Sequence, residues 1–294
     1  MKKIDVELLN KYNSCPNEEI LSKFGDWTNN VDVLKENFKN AKPFEHIIIP
    51  NFLNNDLATK IKDMYPNNLE LYYKYNNPIE VKYAYDNVNS LSEDLKSIFY
   101  LISTNIITNI FSQITNQNLE YDPYLHGAGL HLHPKNGRLG IHLDYEIHPY
   151  SGKQRLLNII LYLNDKWDDE WGGHSELWDK EVKEELLSPI RFNTALVFKT
   201  NEISWHGISK KIKCPEDFFR KTLAFYFVST PESESKKEKI GNDGSGFRKK
   251  ATFICRPDDQ NKEKMKELLE IRPLRLITDE DIKKYWPEWN PIDY

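Results

Sequence analysis

Hydrophobic positions follow two different periods along this chain. Up to about residue 115 they recur at helical spacing, and from about 120 to 230 they fall in short runs broken by glycine and proline. Residues 1–42 are polar and punctuated by Asn, and predict a short helical or irregular lead-in. Pro43 to Pro50 encloses the apolar run His46-Ile47-Ile48-Ile49, a short strand. Asn54-Asn55-Asp56 opens a helix through about Met64, stopped before Pro66. Ser92 caps a longer amphipathic helix with Leu95, Ile98, Phe99, Ile102, Ile106 and Ile110 on one face, placed to pack on the back of a sheet.

The second regime predicts strands at 128–133, 139–144, 155–163, 174–178, 194–199, 203–206 and 220–229. Eight of the chain's 12 glycines lie there, from Gly127 to Gly207. Many short strands with Gly and Pro turns argue for a sandwich or jelly roll. The fold class expected is mainly β with flanking helices (α+β). Residues 232–246 are charged and rich in Ser and Gly, and read as a mobile loop or linker. A strand at 251–255 and helices near 260–270 and 279–285 follow. The tail Trp286-Pro287-Glu288-Trp289 suits docking on the main domain. The expected division is a lead-in (1–42), a main domain (43–231), the linker (232–246) and a docked C-terminal extension (247–294).

Composition narrows the function. The chain has 294 residues, a net charge of -5 and a pI near 6.0, which disfavours a phosphate-binding surface for nucleic acid. Cys15, Cys214 and Cys255 are too few and too far apart for a disulfide framework or a zinc knuckle. No run of about 18 apolar residues appears, so no membrane span is expected. Met1-Lys2-Lys3-Ile4-Asp5 lacks an apolar signal core. A cytoplasmic location is the expectation. Aromatic content of 13% suits a β-rich core with a lined cavity.

Seven of the eight histidines lie between residues 126 and 206. A lone histidine is more often a satisfied polar residue than a ligand, and a His-x-Asp pair alone is weak. In a strand, however, residues i and i+2 share a face, so His142 and Asp144 can reach one ion together. His206 in Ser204-Trp205-His206 completes two histidines and a carboxylate, the ligand set of a mononuclear non-haem iron(II) site with open positions. Arg220 supplies a guanidinium fork for a carboxylate. The strand from Arg155 to Asn164 places Leu157, Ile159, Leu161 and Leu163 on a core face. Asn158, Ile160 and Tyr162 lie on the other, which suits a pocket or an ordinary half-exposed strand.

Taken in order, GIHLDYEIHPYSGKQRLLNIILYLNDKWDDEWGGHSELWD from Gly140, FNTALVFKTNEISWHGI from Phe192 and FRKTLAFYFV from Phe219 resemble one family. It is the prolyl-4-hydroxylase-like branch of the iron(II)/2-oxoglutarate-dependent dioxygenases. PFEHIIIPNFL from Pro43 resembles its usual N-terminal entry, so the resemblance covers roughly 43–230. It implies a double-stranded β-helix (jelly-roll) core, with His142, Asp144 and His206 on Fe(II). It implies that Arg220, helped by Tyr162, binds the distal carboxylate of 2-oxoglutarate. Thr222 would add a hydrogen bond, and Asn158 and Ile160 would line that pocket. His133 stands near a position where the branch often has a tyrosine. The implied reaction uses O2, releases succinate and CO2 and hydroxylates an unactivated C–H, with ascorbate as a reductant. The Asp144 carboxylate argues for hydroxylation over halogenation.

Branch membership points to a prolyl or peptidyl target. The alternatives are a hydroxylase of a small molecule or sugar, and a non-catalytic β-helix module that binds a metal or ligand. A nucleic-acid demethylase is disfavoured, because Tyr226 stands where such enzymes carry a second arginine. The aromatics Tyr145, His148, Tyr150, Trp167, Trp171 and Trp178 are each as readily core as substrate platform. Segments 67–90 and 232–246 are candidate lids, and an insertion around Cys214-Pro215 is expected to affect the pocket rim.

Overall fold

Alternation of apolar side chains is what turns residues 120–229 into a sheet, and the computed structural model describes residues 3–230 and 250–292. The helices are α1 (Val6–Asn13), α2 (Asn17–Leu21), α3 (Val31–Asn40), α4 (Asn55–Asp63), α5 (Glu93–Ser103) and α6 (Asn105–Thr115), with two more at Lys262–Ile271 and Asp279–Tyr285. The strands are β1 (His46–Ile49), β2 (Tyr73–Asn76), β3 (Glu80–Tyr85), β4 (Glu120–Tyr121), β5 (Gly129–His133), β6 (Arg138–Leu143), β7 (Gln154–Tyr162), β8 (Ser175–Trp178), β9 (Glu185–Ser188), β10 (Thr194–Lys199), β11 (His206–Ile208), β12 (Arg220–Ser229) and β13 (Thr252–Ile254).

Their spatial order is β1-β10-β7-β12-β5-β3-β6-β11-β8-β9. From β5 onward the chain passes back and forth between the run β10-β7-β12-β5 and the run β6-β11-β8-β9. That winding is a double-stranded β-helix, a nearly closed antiparallel barrel. β3 bridges the two runs, pairing Tyr83 with Leu132 of β5 and Val81 with Arg138 of β6.

The two faces of β7 separate as their alternation predicts. Leu157, Ile159 and Leu161 join the large core beneath the helices, with Leu223, Phe225 and Phe227 of β12. Tyr162 points between the runs, against Leu177, Leu196 and Phe198. Helix α6 presses Phe111 onto Phe227, with ring centroids 5.5 Å apart, and onto Trp27 of the N-terminal segment, also at 5.5 Å.

Several elements differ from expectation. The long helix after Ser92 is two helices. Thr104 takes extended backbone angles and bonds its hydroxyl back to the Leu101 carbonyl at 2.7 Å. Periodicity could not reveal the break, because α5 and α6 keep their apolar residues on the same layer. Segment 67–90 contains the β2–β3 hairpin rather than a plain loop. The strand expected at 203–206 begins only at His206. Ahead of it, the Ser204 hydroxyl closes a turn by accepting from the Asn201 N–H and donating to the Asn201 carbonyl. The loop expected at 232–246 lies outside the described residues.

Residues 250–292 pack against the barrel. β13 pairs with β6 in the register Phe253↔His142, and Met265, Leu268 and Trp286 cover Phe253 and Ile79. Arg272, at the end of the first C-terminal helix, donates to the buried Glu80 at 2.7 Å, and Lys82 approaches the same carboxylate at 3.0 Å. No helix among the described residues is long and apolar enough to cross a membrane.

Two predictions follow from this packing. Phe111→Ala removes a fully buried ring joining three layers and lowers the unfolding free energy by about 3–5 kcal/mol. Denaturant titration checks this, and a loss below about 1 kcal/mol would show that α6 is not coupled to the sheet. Burial alone raises the Glu80 carboxyl, but Lys82 and Arg272 outweigh it and hold it at about 2 against an ordinary 4.5. A carboxylate depressed on folding stabilises the native state above about pH 4.5 and loses that contribution as pH falls through about 2. Glu80→Gln is therefore expected to melt below wild type at neutral pH, with the gap closing between those values. A gap independent of pH would contradict the pairing.

Candidate active site

The β6–β11 register places His206 directly opposite His142, and Asp144 follows just past the end of β6. One donor atom from each of the three lies within 4.8 Å of the others. Asp144 Oδ1 is 3.7 Å from His142 Nε2, and its Oδ2 is 3.7 Å from His206 Nε2. His142 Nδ1 sits 2.9 Å from the Gly140 carbonyl, and His206 Nδ1 2.8 Å from the Ser204 carbonyl. Those contacts assign the proton to Nδ1 in each ring, so both Nε2 lone pairs face the Asp144 carboxylate. Burial, with His142 beside it, pushes His206 down to about 4, which keeps it neutral and able to coordinate. Phe198 packs on the His206 ring at 4.6 Å, and Phe253 stacks on the His142 ring at 4.9 Å.

Burial alone would raise the Asp144 carboxyl, yet Arg155 and the two histidines hold it far below the usual carboxylate range. Arg155 Nη1 lies 3.3 Å from Asp144 Oδ2. Its guanidinium is sandwiched between the Tyr145 ring at 3.7 Å and the Tyr226 ring at 3.3 Å. Its Nη2 donates to the His126 carbonyl at 2.8 Å and the Tyr145 hydroxyl at 2.6 Å. Asn158 Nδ2 stands 3.5 Å from the same Asp144 oxygen.

A cavity of about 530 Å³ opens in front of these groups. Arg220, Thr222, Asn158, Ile160 and His133 all line it together with the three clustered residues. Arg220 is 1% exposed and has no carboxylate partner among the described residues. Its Nη2 donates to the Ser175 hydroxyl at 2.8 Å, and its Nε has no partner. Burial accordingly lowers its pKa. His133 lies opposite Arg220 across β5–β12. Both of its ring nitrogens are buried without partners, and burial next to Arg220 holds it well below its ordinary value. Asn158 Oδ1 is likewise buried and unpartnered.

The Tyr162 hydroxyl bonds Ser175 at 2.8 Å and Ser188 at 3.2 Å, and its ring lies 5.1 Å from the Arg220 guanidinium. Ser175, a residue that sequence alone does not mark, bonds both Tyr162 and Arg220. Arg155 was also missed; its signal was an arginine opening an otherwise apolar strand. Trp167 and Trp171 pack with Ile212 and Cys214 in a separate cluster, and Trp178 packs on Ile141. The 209–219 segment therefore lies away from the cavity rather than on its rim. Tyr73 and Tyr75 of the hairpin do line the cavity, whereas Tyr72 and Tyr85 are buried core.

Two histidines and a carboxylate on one side of an open cavity form a set that could hold an iron(II) ion with free positions. The unpartnered Arg220 Nε and His133 nitrogens fit a polar ligand carrying negative charge, while the Asn158 oxygen can accept from a donor. Residues 128–228 match the model of the 2OG-Fe(II) oxygenase superfamily. No curated protein matches the chain by sequence. Among solved structures, a prolyl hydroxylase from Trichoplax adhaerens, in complex with a hypoxia inducible factor peptide fragment, is similar in fold. The match has a TM-score of 0.55 at 14% identity, covering 79% of this chain and 99% of that one. A Pseudomonas putida prolyl-4-hydroxylase aligns at 15% identity over 68% of this chain and 100% of its own, with a TM-score of 0.48. The clustered triad and the β-helix fall within or around the 128–228 span that matches this family model, and together they support a 2-oxoglutarate-dependent dioxygenase using iron(II) and O2.

Proposed function

We propose that His142, Asp144 and His206 hold the iron, that Arg220 with Ser175 takes the distal carboxylate of 2-oxoglutarate, and that the chain hydroxylates a C–H of a peptide or small molecule entering the same cavity. The main domain spans 43–231 in this reading, with the C-terminal extension docked on it. The observation that carries the proposal is the buried Arg220. A guanidinium shielded from water and without a carboxylate of its own is strongly unfavourable unless an anion joins it. The inner end of the cavity offers that anion a charged fork and a serine hydroxyl.

The bound iron and its co-substrates supply the oxidising power, turning 2-oxoglutarate and O2 into succinate and CO2 as one oxygen atom passes to the substrate. The chain's own residues bind, orient and exclude water. Carbonyl acceptors fix the tautomer of both histidines, so no proton has to leave before metal binds. Arg155 keeps Asp144 ionised and aims its carboxylate. Thr222 and His133 add polar atoms beside Arg220, and Asn158 adds an oxygen nearer Asp144. Tyr162 acts through Ser175 rather than by touching the ligand. Leu177, Leu196 and Phe198 provide an apolar wall that limits water.

Anaerobic titration with iron(II) and 2-oxoglutarate tests the reading through the weak visible charge-transfer band of the chelate. The band is expected in wild type and absent in Asp144→Ala. Arg220→Ala is expected to raise the 2-oxoglutarate requirement by roughly 10–100-fold while metal affinity changes little. Full band intensity in Asp144→Ala, or unchanged co-substrate affinity in Arg220→Ala, would refute the corresponding assignment.

A further inference from the structure

One wall of the cavity carries a charge pattern that the proposed iron and co-substrate leave unused. Among the described residues, five cationic side chains line the cavity, namely Lys82, Arg155, Arg220, Lys250 and Arg272, against three carboxylates, Glu80, Asp86 and Asp144. Within the proposed centre, iron(II), Arg155 and Arg220 would carry four positive charges against three on Asp144 and the two carboxylates of 2-oxoglutarate. At the rim, Asp86 pairs with Lys3 at 2.8 Å. Glu80, however, faces two cations. It is 1% exposed, and both Lys82 and Arg272 converge on it.

One cation would neutralise Glu80, so the trio is left with a net positive charge. The geometry leaves that charge available. Only Nε of Arg272 is used, on Glu80, and its two terminal nitrogens make no hydrogen bond among the described residues. The guanidinium sits over the Phe253 ring at 5.1 Å, which fixes its plane. Lys82 lies over the Tyr75 ring at 5.0 Å, and Tyr73 stands 4.7 Å from Tyr75. A preorganised guanidinium edge, a lysine and a tyrosine pair therefore share one wall of the cavity. Hairpin and C-terminal extension build that wall jointly, and Glu80 ties them together.

We propose that this wall is a docking site for an oxyanion, a carboxylate or phosphate group, on the primary substrate, with Arg272 and Lys82 as its ligands. This rests on the reading that the inner cavity takes 2-oxoglutarate. A guanidinium with a free edge matches such a group through paired hydrogen bonds, and the lysine adds a point charge. The tyrosine pair offers apolar and aromatic surface to whatever carries the anion. The substrate class is thus an acid, small or peptidic, presented with its charged group at the mouth and its reacting C–H further in.

Calorimetric titration of phenylphosphonate, benzoate and the neutral benzyl alcohol into protein loaded with Mn(II) and 2-oxoglutarate tests this. At least one anion is expected to bind about tenfold or more tightly than the alcohol, and the tighter of the two names the group. Arg272→Met and Lys82→Met each leave Glu80 one cationic partner, so the fold is retained. Each is expected to weaken anion binding about tenfold without affecting benzyl alcohol. Equal binding of anions and alcohol, or anion binding unchanged in both variants, overturns the proposal. So does loss confined to Arg220→Ala, which would put the anion in the inner pocket. The two readings fail separately. A missing charge-transfer band with anion binding still dependent on Arg272 would remove the 2-oxoglutarate assignment and leave the anion site standing.

Discussion

Arg220 opens β12 inside the barrel, shut off from water, and bonds a serine hydroxyl instead of a carboxylate. A cation in that position is unfavourable by several kcal/mol unless an anion accompanies it. The side chains around it offer polar and aromatic contact, including the Tyr162 ring at 5.1 Å, but no carboxylate among the described residues. His133 is opposite, neutral, with both ring nitrogens unused, and Tyr162 stabilises Ser175 from behind. The cavity is thus built to be completed by a ligand. Asp144 shows the contrasting solution at the other side of the same space, where a buried carboxylate is matched by a buried arginine between two tyrosine rings. One charge is balanced within the chain and the other has no counter-charge among the described residues.

Placement of the triad depends on strand register more than on local sequence. His142 and His206 are far apart in the chain and meet because β6 and β11 pair with those residues opposite each other. β13 then pairs on the other edge of β6 with Phe253 opposite His142, and the ring of Phe253 stacks on the imidazole. The metal-side histidine is consequently clamped between a core strand and the C-terminal extension. Through Arg272 and Glu80 that extension is tied to the hairpin forming the opposite rim. Site and mouth are parts of one connected arrangement.

The β-helix strands were legible because alternating apolar residues have few other ways to be buried. β7 shows it directly, with Leu157, Ile159 and Leu161 on the core side as read. His142, Asp144 and His206 were legible from residue type, the i, i+2 rule and their order along the family pattern. The β2–β3 hairpin was not. Its strands carry Tyr, Lys and Glu on half-exposed faces, so no apolar alternation marks them. The break at Thr104 was invisible for the opposite reason, since the apolar stripe runs on through it. For Tyr162, alternation gives the side of the sheet it faces, but not that Ser175 and Ser188 engage its hydroxyl. The Glu80, Lys82 and Arg272 trio joins residues from opposite ends of the chain, a contact that only the folded chain reveals.

In the proposed reading, the buried Arg220 charge stays uncompensated until 2-oxoglutarate arrives. The most direct test compares melting temperatures of wild type and Arg220→Met, each without and with 2-oxoglutarate and Mn(II). Methionine keeps much of the volume and removes the stranded charge. The account predicts that the variant melts no lower than wild type in the ligand-free state, and that 2-oxoglutarate stabilises wild type but not the variant. A variant that melts well below wild type without ligand, yet is stabilised equally by 2-oxoglutarate, would contradict it.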